Sequence, residues 1–156
     1  MSTPTPHPWQ RSLRLDAAFR APVEALFFFN PRQQTTLPRI EKAIERFGIP
    51  KLHVDAQRQL RFTLDDEPVD ALYLLERESL PNELPRVAAV ALHRRVEPDC
   101  LAVIHLALDP QAEGAADGTL MDALLHELRT LARQAVSIRQ IWLLYAPGEG
   151  RFMKVR

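Results

Sequence analysis

The residues Asp109-Pro110-Gln111-Ala112-Glu113-Gly114-Ala115-Ala116-Asp117-Gly118 join an apolar, strand-like run to a Leu-rich helical pattern. Their position at a strand-to-helix junction is where chemistry would sit. Parallel strands flanked by helices bind ligands at their carboxyl ends, and the free amides of a helix N-terminus suit a phosphate. Small residues in this loop allow a ligand to approach the backbone closely. Glu113 and Asp117 put negative charge in the same place, and Asp117 is also a good helix N-cap. A plain strand-to-helix connection therefore reads the same residues equally well.

Other constellations are weaker. His53, His93, His105 and His126 show no His-x-x-x-His or related spacing, so no metal site is expected. Cys100 is the only cysteine, which excludes an intramolecular disulfide and a cysteine-rich zinc site, fits a reducing compartment, and reads as a packing residue. Neither a Gly-x-Ser-x-Gly nucleophile turn nor a Walker-type phosphate loop is present. Arg94-Arg95 and the helical pair Arg129 and Arg133 could touch a phosphate, but solvated surface charge accounts for both.

Composition narrows the classes further. In 156 residues, 20 basic and 20 acidic side chains cancel, and no long basic run is present, so nucleic acid is not an expected partner. Hydrophobic residues at 46% and charged residues at 26% are ordinary for a folded domain. No apolar stretch is long enough to span a bilayer and the first residues lack a signal-peptide layout, so a cytoplasmic protein with no membrane partner is expected. Pro4, Pro6 and Pro8 mark residues 1–8 as an extended arm, and 9–156 as a single domain.

The elements that must position the loop can be read from periodicity. Pro22 to Phe29 reads as one short buried helix whose three phenylalanines pack in the core. A second helix is expected with Thr35 or Thr36 as cap, Pro38 in its first turn, Leu37, Ile40, Ile44 and Phe47 on its apolar face, and Gly48 and Pro50 as its stop. From Lys51 to Pro110 short β-type runs alternate with turn residues: Lys51 to Val54, Leu60 to Leu64, Asp70 to Leu75, Arg86 to Arg94 and Leu101 to Leu108. The last two are almost wholly apolar, as expected of central strands covered on both faces. A loop, a helix striped by Leu120, Leu124, Leu128 and Leu131, and a strand from Ile138 to Tyr145 follow; strand, helix and strand should form a parallel pair with a right-handed crossover. Residues after Tyr145 supply at most one short edge strand, and Trp9 and Trp142 read as core or interface aromatics. The fold class is α+β, a mixed and mainly antiparallel sheet flanked by helices, with a central parallel strand pair.

This order of elements, with Leu106-Ala107-Leu108-Asp109-Pro110 and a loop reading Gln111-x-x-Gly114-x-Ala116, resembles the central motif of the GNAT superfamily of N-acetyltransferases. The resemblance implies a GNAT-like fold, here in a shortened version. It implies acetyl-CoA, or another acyl-CoA, as cosubstrate, with its diphosphate on the loop and its pantetheine arm between the two parallel strands. The cofactor-binding residues carried over are Ala107, Leu108, Gln111, Gly114, Ala115, Ala116 and Gly118. Backbone amides at Ala107 and Leu108 would polarise the acyl carbonyl.

Acyl transfer to a small amine needs a base for the ammonium proton and an acid for the leaving thiolate. The candidates are His105 in the strand before the loop, Glu76 or Glu78 at the end of an antiparallel strand, and Tyr145 at the end of the last long strand. Each also has a structural reading: a packed strand histidine, exposed hairpin-end carboxylates and a rim tyrosine. The activity expected is N-acyl transfer to a small-molecule amine. The alternative is a non-catalytic GNAT-like module acting by ligand binding or dimerisation. The last strand presents an open edge, and a homodimer covering it is expected.

Overall fold

The computed structural model describes residues 9–28, 33–77, 82–115, 119–144 and 151–155. Eight strands form one open mixed sheet: β1 (Trp9–Ser12), β2 (Pro50–Val54), β3 (Leu60–Leu64), β4 (Glu67–Glu76), β5 (Val87–Glu97), β6 (Cys100–Leu108), β7 (Gln140–Leu143) and β8 (Arg151–Lys154). Four helices accompany it: α1 (Arg20–Phe28), α2 (Gln33–Phe47), α3 (Pro110–Ala115) and α4 (Thr119–Gln134). The strands lie in sequence order from β2 to β8, antiparallel except for the β6/β7 pair. β4 is long enough to serve two neighbours on one edge. Its first residues pair with β3 and its last four with β1, which brings Trp9 opposite Glu76.

The apolar runs in β5 and β6 have the predicted cause. One core lies under α3 and α4, built on Leu72, Leu74, Ala91, Leu101 and Val103 against Leu120, Leu124 and Leu128. The other lies under α1 and α2, where Val23, Leu26 and Phe27 meet Phe62, Val90, Ala102 and Ile104. Strands covered on both faces can be apolar at every position. Trp9 is a core residue, and Trp142 is buried on the α2 side.

The tight turns are set by individual residues. Asp65 and Asp66 have φ of 47° and 67°, so the β3–β4 hairpin turns on two left-handed residues, a conformation Asp tolerates and one that matches sheet twist. The Asp65 carboxylate accepts the Ile49 N–H at 2.9 Å. Helix α2 ends as expected at Gly48, whose φ is 103° and whose N–H closes onto the Ile44 carbonyl at 2.8 Å.

Several expectations are corrected. Helix α2 starts at Gln33, so Thr35 and Thr36 lie inside it and do not cap it; Gln33 and Gln34 are good helix formers and extend it. Strand β1 was not foreseen. The last long strand is only Gln140–Leu143, and the expected loop after Pro110 is helical through Ala115. Pro110 opens that helix and the Asp109 carboxylate accepts the Gln111 N–H at 2.9 Å, a side-chain cap that makes helix the better local solution. The arm at 1–8, Phe29, Glu78, Ala116, Asp117, Gly118 and Tyr145 lie outside the described residues.

Candidate functional site: the carboxyl end of the parallel strand pair

The site is built on an irregularity in β6. Opposite β5, Leu92 faces His105 while His93 faces Val103, so Ile104 is an extra residue in β6. Such a bulge breaks the alternation of faces. Ile104 and His105 consequently both turn toward α1, Ile104 into the core there and His105 edge-on to the Phe27 ring at 5.9 Å between centroids.

The same bulge directly follows the last described pair of β6 with β7. Among the described residues, pairing with β7 runs from Cys100 opposite Gln140 to Val103 opposite Leu143, and Leu144 N–H bonds the Val103 carbonyl at 3.2 Å. β6 continues to Leu108. The Asp109 N–H bonds Ala88 of β5 at 2.8 Å, so strand alternation turns the backbone groups of Leu106 and Leu108 to the opposite edge. Among the described residues, no β7 pairing reaches that stretch of edge.

His105 is only 6% exposed, and burial pushes its imidazole down to about pH 4, so it is neutral at physiological pH. Its Nε2 is buried without a hydrogen-bond partner. Ala107 is buried on the α1 side, whereas Leu108 packs against the α4 side. Ala107 and Leu108, both assigned to the cosubstrate from sequence, therefore share neither a face nor an edge: alternation turns the backbone groups of Ala107 toward β5 and those of Leu108 away from it.

At the end of the strands a polar hub gathers around Arg86, the residue before β5. Its guanidinium donates to Gln111 Oε1 at 2.6 Å and pairs with Asp109 Oδ2 at 3.2 Å and Glu76 Oε1 at 3.6 Å. Glu76 and Gln111, nominated separately from the sequence, are thus held by one cation. Arg86 itself was missed. Its signal was an Arg opening an apolar run, which has meaning only once the ends of β4 and β6 are known to flank it. Gly114 and Ala115 belong to the backbone of α3 and are not part of an open loop.

The remaining candidates are apart from this centre. His93 lies opposite Asp70 on the α4 side of the sheet; burial lowers its pKa, and Asp70 opposes that shift. Cys100 is buried at the start of β6, and burial raises its thiol pKa, as fits packing. Among the described residues no cluster of His, Cys, Asp or Glu is placed to hold a metal ion, and no helix is long and apolar enough to cross a membrane. Comparison with protein-family models, curated proteins and solved structures found no match.

Proposed function

We propose that the chain is a GNAT-like domain that binds an acyl-CoA at the carboxyl end of β6 and transfers the acyl group to a small amine. The observation that carries this reading is the Ile104 bulge in β6, which directly follows Val103 and Leu143, the last pair of the parallel strands among the described residues. Beyond that pair the backbone N–H and C=O of Leu106 turn to the β7 side of β6, groups of the kind an extended amide-bearing arm such as pantetheine would pair with. Arg86 is the cation within reach of a diphosphate, in exchange for its bonds to Gln111 and Asp109. The acyl-CoA supplies the activated carbonyl. The neutral His105 imidazole is the candidate acceptor for the amine proton, Glu76 is the second carboxylate at that end, and Tyr145 is the candidate donor to the thiolate.

A second reading, a ligand-binding module without catalysis, is favoured by two observations. Glu76 is engaged by Arg86, and His105 is packed against Phe27. We also propose a homodimer through the outer edge of β8. Thermal unfolding with acetyl-CoA, followed by thiol-release assays with small amines, separates the possibilities. Ligand at 100 times its dissociation constant adds about 2.7 kcal/mol, and Gly114→Glu should abolish the shift. A shift without thiol release selects the module; no shift at millimolar acetyl-CoA sinks both readings.

A further inference from the structure

At the opposite end of β6 a cavity of about 1100 Å³ opens where the last turn of α4 meets β7 and β8. Arg133 of α4, Arg139 of the α4–β7 connection and Lys154 of β8 line it together with one carboxylate, Asp99. All three cations are exposed, and none forms an ion pair among the described residues. Among the described residues only the Arg133 side chain spends a donor, its Nε bonding the Val155 carbonyl at 3.1 Å, which fixes the guanidinium at the rim. The groove thus carries two net positive charges on a chain whose formal charge is zero.

Its wall is not wholly polar. Ile138 and Val155 are buried behind the cations, and Val136, 84% exposed, projects at the lip. The Val136 carbonyl is tied to Arg95 at 2.9 Å, and Ser137 turns the chain with a φ of 78°, so the lip is held by the backbone. Uncompensated cations from separate segments beside an apolar wall match an anion with an apolar body. Guanidinium forks favour phosphate or carboxylate.

We propose that this groove is a second binding site, for a small organic anion whose phosphate or carboxylate head meets Arg133, Arg139 and Lys154 and whose apolar part lies on Val136 and Ile138. It is independent of the acyl-CoA reading. Asp99 and Asp109 bracket the nine residues of β6, which places the two sites about 30 Å apart along the strand.

The test uses phenyl phosphate, benzoate and inorganic phosphate as probes, at fixed ionic strength, with amide chemical shifts of the full chain as readout. Phenyl phosphate should shift residues 133–140 and 154–155 and bind more tightly than inorganic phosphate. The R139E/K154E pair should weaken it by about tenfold or more, and Val136→Ser should remove only the advantage over inorganic phosphate. Benzoate binding at the same residues would extend the site to carboxylates; its absence would restrict the head group to phosphate. Shifts centred elsewhere, no shifts at millimolar probe, or binding unchanged by R139E/K154E would overturn the proposal. Unchanged unfolding of the double variant without probe shows that loss of binding is not loss of fold.

Discussion

Ile104 and His105 are consecutive in β6, yet their side chains point to the same face of the sheet. The bulge that causes this places an imidazole under α1 with its Nε2 unpaired, directly after the last described pair of β6 with β7. Acid should therefore destabilise the protein through His105. Its pKa is about 4 when folded against a reference near 6.5, so the unfolded chain takes up the proton first. The stability is fully present above about pH 6.5 and falls as pH drops toward 4, by about 3 kcal/mol from this residue. His93, shifted in the same direction, adds to the loss. Urea unfolding at a series of pH values should show a shallower acid loss for His105→Leu. A slope identical to the parent would remove His105 as its source.

Arg86 predicts a separation of stability from ligand binding. Its ion pairs are with partly exposed partners, its own side chain being 41% exposed, and pairs of this kind contribute about 0–1 kcal/mol. Arg86→Gln should shift the urea midpoint little. If the guanidinium is the diphosphate partner, the same change should remove most of the thermal shift given by acetyl-CoA. An undiminished shift in R86Q would place the diphosphate elsewhere.

What the sequence disclosed and what it hid divide along physical lines. Val87 to Leu92 and Leu101 to Leu108 announced central strands because burial on both faces leaves no polar positions, and the Leu stripe of α4 fixed the crossover between β6 and β7. Strand β1 was hidden because Trp-Gln-Arg-Ser has a single apolar residue; it is ordered by pairing with β4. The bulge was invisible because Val-Ile-His-Leu reads equally well with or without an extra residue. The Arg86 hub was hidden for a different reason. Glu76, Arg86, Asp109 and Gln111 meet only through the registers of three strands, which no local pattern encodes.

Gly48 is irreplaceable for two reasons that act together. Its φ of 103° is strained for any L side chain, and an added Cβ would stand 2.5 Å from Asp65 Cγ, the carboxylate that caps Ile49. Gly48→Ala should cost about 2–3 kcal/mol in chemical denaturation, combining backbone strain with displacement of that cap. A loss below about 1 kcal/mol would show that the β3–β4 turn shifts freely to make room.

The outer edge of β8 gives the last prediction. Val155 N–H bonds the carbonyl of Arg139, the residue before β7, at 3.1 Å, so alternation turns the N–H of Phe152 away from β7 and toward the outer side. Phe152 is 59% exposed there, stacked on Trp142 at 5.7 Å. An edge with outward donors and an exposed aromatic pairs readily with a second strand. Light scattering at micromolar concentration should give a dimer. Phe152→Pro removes the outward donor and leaves the inward bonds to β7 in place, so it should yield a folded monomer. A parent protein that is monomeric, or a dimer untouched by F152P, would mean that β8 is not the interface.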